Sequence, residues 1–195
     1  SALRLAHSKL PIAKNLDQLR GMEGSAARVW FAQMRHWLPS AWGFTGRDRK
    51  HPDPANALLN LGYTLLCREW ESLLAAANFE PALGFYHTLA AGRPSLACDL
   101  MEEFRPVVDR IVLNVANRSL LTAQDFEQRD YGMRLKQEPL RVFLRTYEEL
   151  LAPERPLFVQ RISELAECLR DERGVVQARP LPPGRIDVVP QDATP

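Results

Sequence analysis

Residues 94–115 read PSLACDLMEEFRPVVDRIVLNV, and the spacing of their apolar positions decides the fold class. Leu96, Leu100, Phe104, Val108, Ile111 and Val115 recur every three or four residues, the repeat of a helix face turned toward a core. Pro94-Ser95 reads as the start of this helix, with Ser95 as N-cap. Asp99, Glu102, Pro106 and Asp109 keep the same spacing on a second line along it. Pro106 has no N–H for the carbonyl of Glu102, so a bend is expected beside the acids.

The same repeat extends outward in both directions. Asp53-Pro54 pairs an acceptor at the N-cap with a proline at the first helical position. The run behind it, ANALLNLGYTLLCREWESLLAAA, is apolar on nearly all sides until Arg68, as a central buried helix is. Upstream, helices are expected near 5–18 and 20–37, with Asp17 close to their boundary and Pro39 ending the second. Downstream come a short segment near 122–128, an extended or turn piece from Gly132 to Lys136, and helices near 137–151 and 155–173. No alternating pattern is long enough to build a sheet, and there is no internal repeat. The expected class is therefore all-α, a single domain of six to eight helices over residues 1–174. The proline-rich residues 175–195 are expected to form an irregular tail.

Charge narrows the function. With 25 Lys and Arg against 24 Asp and Glu, the net charge is +1, so nucleic-acid binding must come from local patches. The densest basic run is the loop Gly46-Arg47-Asp48-Arg49-Lys50-His51, and Arg93, Arg105 and Arg110 surround the quoted helix. No apolar run approaches the roughly 18 residues of a membrane span. Cys67, Cys98 and Cys168 are odd in number, far apart in sequence and set among Leu and Ala. They read as reduced, buried thiols and point to the cytoplasm. The chain opens Ser-Ala-Leu-Arg, with neither methionine nor a basic-then-apolar signal pattern, and reads as a piece of a longer protein.

Two readings of the acids remain open on pattern. Asp99 and Glu102, three apart, can turn their carboxylates toward one cation, with His87 arriving from the preceding loop, a donor set suited to Mg2+ or Mn2+ more than Ca2+. On pattern alone the same acids read first as a solvated face in the first turns of a helix. Glu23 lies between Gly21 and Gly24 within a helical pattern, where each glycine costs about 1 kcal/mol relative to alanine. Either close packing or room for a metal and a phosphate would justify them. His7, His36 and His51 read as surface or capping residues. The four tryptophans and Tyr63 read as packing residues, and Asn56 as a partner of the basic loop or of its own helix start.

Three blocks, LRGMEGSAARVWF, GRDRKHPDPANALLNLGYTLL and GFYHTLAAGRPSLACDLMEEFRPVVDR, stand in this order between about Leu16 and Ala152. Together they closely resemble the C-terminal helical domain of the CRISPR spacer-acquisition integrase family. The resemblance implies a metal, Mg2+ or Mn2+, held by Glu23, His87 and Glu102, with Asp99 as an additional catalytic acid beside it. It implies DNA contacts by Arg105, and by Arg47, Arg49 and Arg93. The family's N-terminal β-rich dimerisation domain has no counterpart in these residues. Val29-Trp30 and Lys50-His51 depart from the family's usual pattern at positions that concern the grip on DNA rather than the ligands.

The implied reaction is phosphoryl transfer, in which a 3′-hydroxyl of a captured DNA fragment attacks a phosphodiester at the CRISPR repeat. The implied partners are DNA, a second copy joined through the N-terminal domain, and a small ferredoxin-like companion protein. A metal-dependent nuclease acting on branched DNA would use the same residues, whereas a helical interaction scaffold would leave the acids merely solvated.

Overall fold

The computed structural model describes residues 15–50 and 52–173. His7, His51, the expected helix as far as Lys14 and the tail at 175–195 lie outside the described residues. Helix α1 spans Leu16–Trp37, and its cap is Asn15, whose side chain accepts the amide of Gln18. The second helix thus starts within two residues of Asp17, close to where the boundary was expected. Asp17 sits in the first turn, where a negative charge suits the helix dipole, and pairs with Arg20 at 3.1 Å. A 3-10 turn at Ser40–Trp42 follows, closed by Gly43 at φ 63°.

Helix α2, Pro54–Ala76, starts at the expected cap, with Asp53 accepting the amide of Asn56 at 2.9 Å. It is the central helix. Leu58, Leu59, Leu66, Trp70 and Leu74 are fully buried, and α2 packs against the elements that follow it in sequence. A Cβ at Gly62 would lie 2.5 Å from Val108, so glycine is what lets α2 approach that residue's helix so closely.

The quoted stretch forms two helices rather than one: α3, Ser95–Met101, and α4, Arg105–Asn117, joined by a 3-10 turn at Glu102–Phe104. Pro106, in the first turn of α4, supplies the cause, since it cannot donate back across this turn. Ser95 is not the cap. It lies inside α3, and its hydroxyl donates to the carbonyl of Thr88 at 3.1 Å, bracing the preceding loop.

The absence of a sheet also needs correction. Strands β1, Phe126–Arg129, and β2, Gly132–Leu135, pair antiparallel in the register Phe126↔Leu135. Four-residue strands are too short for alternation to stand out from neighbouring loops. Helices α5, Gln137–Leu151, and α6, Arg155–Arg173, complete the described chain. Arg155 ties them to α2, donating to Glu69 at 2.5 Å and Glu148 at 2.8 Å. Trp70, Phe104 and Phe158 stack in the core with ring centroids 4.5 to 5.6 Å apart. The described residues are all-α apart from this hairpin, and no helix among them is long and apolar enough to cross a membrane.

Candidate functional site

Asp99 organises the loop that carries His87. Its side chain is buried on α3 and accepts the backbone N–H groups of Phe85, Tyr86 and His87 at 2.7, 2.9 and 2.9 Å. Its Oδ1 is also 2.6 Å from His87 Nδ1. A carboxylate in this position needs such donors to offset its lost hydration. The pairing places the proton on Nδ1 and leaves Nε2 as the ring nitrogen available to a ligand. Gly84 makes the wrap possible, because a Cβ there would meet Asp99 Oδ2 at 2.7 Å and Ser95 at 2.8 Å. Asp99 is thus not part of a solvated acidic face.

Glu23 is brought to this loop by Tyr86, whose hydroxyl donates to Oε2 of Glu23. One turn earlier on α1, Arg20 donates to the carbonyl of Tyr86 at 2.5 Å and lies over its ring at 5.4 Å. Burial, the hydrogen bond to Glu23 and that residue's charge all push the Tyr86 phenol pKa above its ordinary value. A Cβ at either Gly21 or Gly24 would meet nothing within 4 Å among the described residues, so close packing within them does not account for these glycines. They border open space beside Glu23.

Glu102 faces a cation. Arg105 Nη1 is 2.9 Å from both of its carboxylate oxygens. The Arg105 guanidinium lies 4.4 Å above the ring of Tyr63, and that of Arg47 lies 5.5 Å from it. At the ring's edge, the Tyr63 hydroxyl donates to buried Asp109, which also accepts Trp30 Nε1 at 2.7 Å. Burial raises the Asp109 pKa above the usual carboxylate value, and the two donors and nearby guanidinium groups only partly oppose it. Asn56 takes both roles expected of it: it caps back to Asp53 at 2.7 Å and accepts from Arg47 at 3.1 Å and from the amide of Asp48 at 2.8 Å. Asn60 adds a second acceptor for Arg47 at 2.5 Å.

Asn60, Tyr63, His87 and Glu102, with Arg47, Arg49, Arg68, Arg93 and Arg105, border a cavity of about 590 Å³. All four arginines expected at DNA are there. Arg110 is elsewhere, paired with Glu154 at 3.0 Å. Cys67 and Cys98, 31 residues apart in sequence, meet in the same cavity with their sulfurs 3.9 Å apart as free thiols, while Cys168 is exposed rather than buried. Burial, followed by the neighbouring Cys98, pushes the Cys67 thiol up to about 12.

Glu23 therefore reaches the residue before His87, and His87 shares a cavity with Glu102. Among the described residues, no three His, Cys, Asp or Glu side chains are grouped so as to hold a metal ion as they stand. Tyr86 engages one oxygen of Glu23, and Arg105 engages both oxygens of Glu102. The donor chemistry still fits a hard divalent cation: two carboxylates and an imidazole already oriented through Nδ1 by a second carboxylate. Sequence reasoning missed Tyr86, Arg20 and Asn60, and left Asp109 among the acids without a role. Asp109 carried a signal, since it lies on the line of Asp99 and Glu102. Tyr86 carried none beyond standing next to His87.

Comparison with known proteins places the chain in a family. Residues 1–149 match the family model described as "CRISPR associated protein Cas1". The chain is 43% identical over 169 residues to the CRISPR-associated endonuclease Cas1 3 of Thermus thermophilus, an alignment covering 85% of this chain and 51% of that protein. It is 42% identical over 161 residues to Cas1 2 of Rhodospirillum rubrum, covering 78% of this chain and 47% of the relative. The chain thus spans about half the length of these curated relatives. Among solved structures, a Cas1 protein from Thermotoga maritima superposes with a TM-score of 0.77 at 28% identity, covering 84% of this chain and 55% of that one. A casposase bound to integration product superposes with a TM-score of 0.70 at 27% identity, covering 75% of this chain and 43% of that one. With its three sequence blocks, its helical fold and the family match over 149 residues, the chain belongs to the Cas1 family.

Proposed function

We propose that this chain is the catalytic part of a CRISPR-adaptation integrase that joins 3′-hydroxyl ends of captured DNA to the repeat array. The observation that carries this reading is the Asp99-anchored His87 beside Glu102 in a cavity bordered by five arginines. Glu23, His87 and Glu102 would hold Mg2+ or Mn2+, which when bound would polarise the phosphoryl oxygen and favour ionisation of the attacking hydroxyl.

The chain's own residues supply positioning and charge. Arg47, Arg49, Arg93 and Arg105 face the cavity as phosphate donors, which set register without reading sequence. Arg105 has Glu102 as its present partner, so a DNA phosphate can take over that cation as Glu102 turns to its proposed task. Tyr63 supports Arg105 from beneath and is itself held by Asp109. In the transfer, one P–O bond forms to the incoming 3′-oxygen and one breaks, releasing a new 3′-hydroxyl that recovers the proton. Two-ended joining calls for a second copy, assembled through an N-terminal domain and bridged by a small ferredoxin-like companion. The free thiols accord with a cytoplasmic setting.

Water in place of the 3′-hydroxyl would make the same residues a nuclease, the activity named for the curated relatives. The test is a labelled 3′-hydroxyl fragment mixed with repeat DNA and Mn2+, in a form carrying the N-terminal domain. Joined product that disappears in His87→Ala supports integration. Hydrolysed strands alone would assign cleavage instead, and product retained in His87→Ala would reject the site.

A further inference from the structure

Glu23 lies on the half of α1 that is least held by the core. The buried side chains of this helix, Phe31 and Met34, both lie in its C-terminal half. Around Glu23, Gly21 and Gly24 border open space. Something other than core packing must set where its carboxylate stands relative to His87.

We propose that Tyr86 is a positioning residue that sets the separation of Glu23 and His87, an inference that rests on the metal-site reading above. Tyr86 is fastened at both ends. Its amide donates to Asp99 at 2.9 Å, the same carboxylate that orients the His87 ring. Its hydroxyl donates to Glu23, and its carbonyl accepts Arg20 at 2.5 Å from one turn earlier on α1. A single residue thus links the proposed ligand on α1 to the proposed ligand on the loop. One oxygen of Glu23 is taken by the phenol, which restricts rotation of the carboxylate and leaves the other oxygen for a cation. Partners that orient a metal ligand in this way commonly contribute 10- to 100-fold to metal affinity.

Tyr86→Phe removes only the hydroxyl, leaving the ring beneath Arg20 and both backbone hydrogen bonds, so the fold is retained. The probe is Mn2+, titrated without DNA and followed by the electron paramagnetic resonance of the free ion. The expected result is about 10-fold weaker Mn2+ binding in Tyr86→Phe, and little further loss when Tyr86→Phe is added to Glu23→Gln, because the phenol then has no carboxylate to orient. In strand transfer the half-saturating Mn2+ concentration should rise by a similar factor, with the rate at saturating Mn2+ largely kept. Unchanged or tighter Mn2+ binding in Tyr86→Phe, beside weakened binding in Glu23→Gln, overturns the inference and leaves the metal site standing. If Glu23→Gln also binds Mn2+ as the parent does, the metal-site reading falls, and this inference with it.

Discussion

The Asp99 carboxylate lies 2.6 Å from His87 Nδ1 while accepting three successive backbone amides of the loop that carries that histidine. One buried acid therefore both shapes the loop and fixes the ring. Asp99→Ala would strand three donors, and a loss of about 3 kcal/mol or more is expected in chemical denaturation. Strand transfer should vanish at the same time. A stability change below about 1 kcal/mol would mean that the loop has other support.

The glycines separate packing from space. Gly84→Ala drives a Cβ to 2.7 Å from Asp99 Oδ2, and about 1–3 kcal/mol of destabilisation should follow. Gly21→Ala and Gly24→Ala meet nothing among the described residues, and each should raise stability by about 0.5–1 kcal/mol. If the space beside Glu23 receives a DNA phosphate, those two stabilised variants lose joining activity. Full activity in both would leave the glycines without a functional role.

Glu102→Ala removes a carboxylate that Arg105 already neutralises at the surface of the cavity. The thermal midpoint should move little, the equivalent of about 1 kcal/mol or less for a partly exposed ion pair. Joining should fall below detection. Retained joining on a branched substrate with Mn2+ would remove Glu102 from the proposed ligands.

Thiol reactivity follows from the Cys67 pKa of about 12. A raised thiol pKa keeps the group neutral throughout pH 6–9. Exposed Cys168 should alkylate first, and Cys67 only as pH rises well above 9 or as the chain unfolds. Mass spectrometry after timed iodoacetamide treatment checks the order, and Cys67 labelling as fast as Cys168 would contradict it.

Much of this was legible in the sequence because helical periodicity and caps are local signals. Asp53-Pro54 marked the start of α2, and the stripe from Leu96 to Val115 marked the inward face of α3 and α4. What failed was decided by contacts outside each segment. Ser95 looked like a cap but serves the loop at Thr88. The site residues were legible through their resemblance to a family. Their supports were not, because Tyr86 reaches Glu23 across 63 positions and Tyr63 reaches Asp109 across 46.

The central claim is that Glu23, His87 and Glu102 act together on one metal ion at the arginine-lined cavity. The most direct measurement is a crystal structure with Mn2+, using the anomalous signal of the ion. The account predicts a single strong peak bonded to both glutamates and to His87 Nε2, with Arg105 displaced from Glu102. A peak bonded to none of these three side chains, or Glu102 still paired with Arg105 at saturating Mn2+, would contradict it.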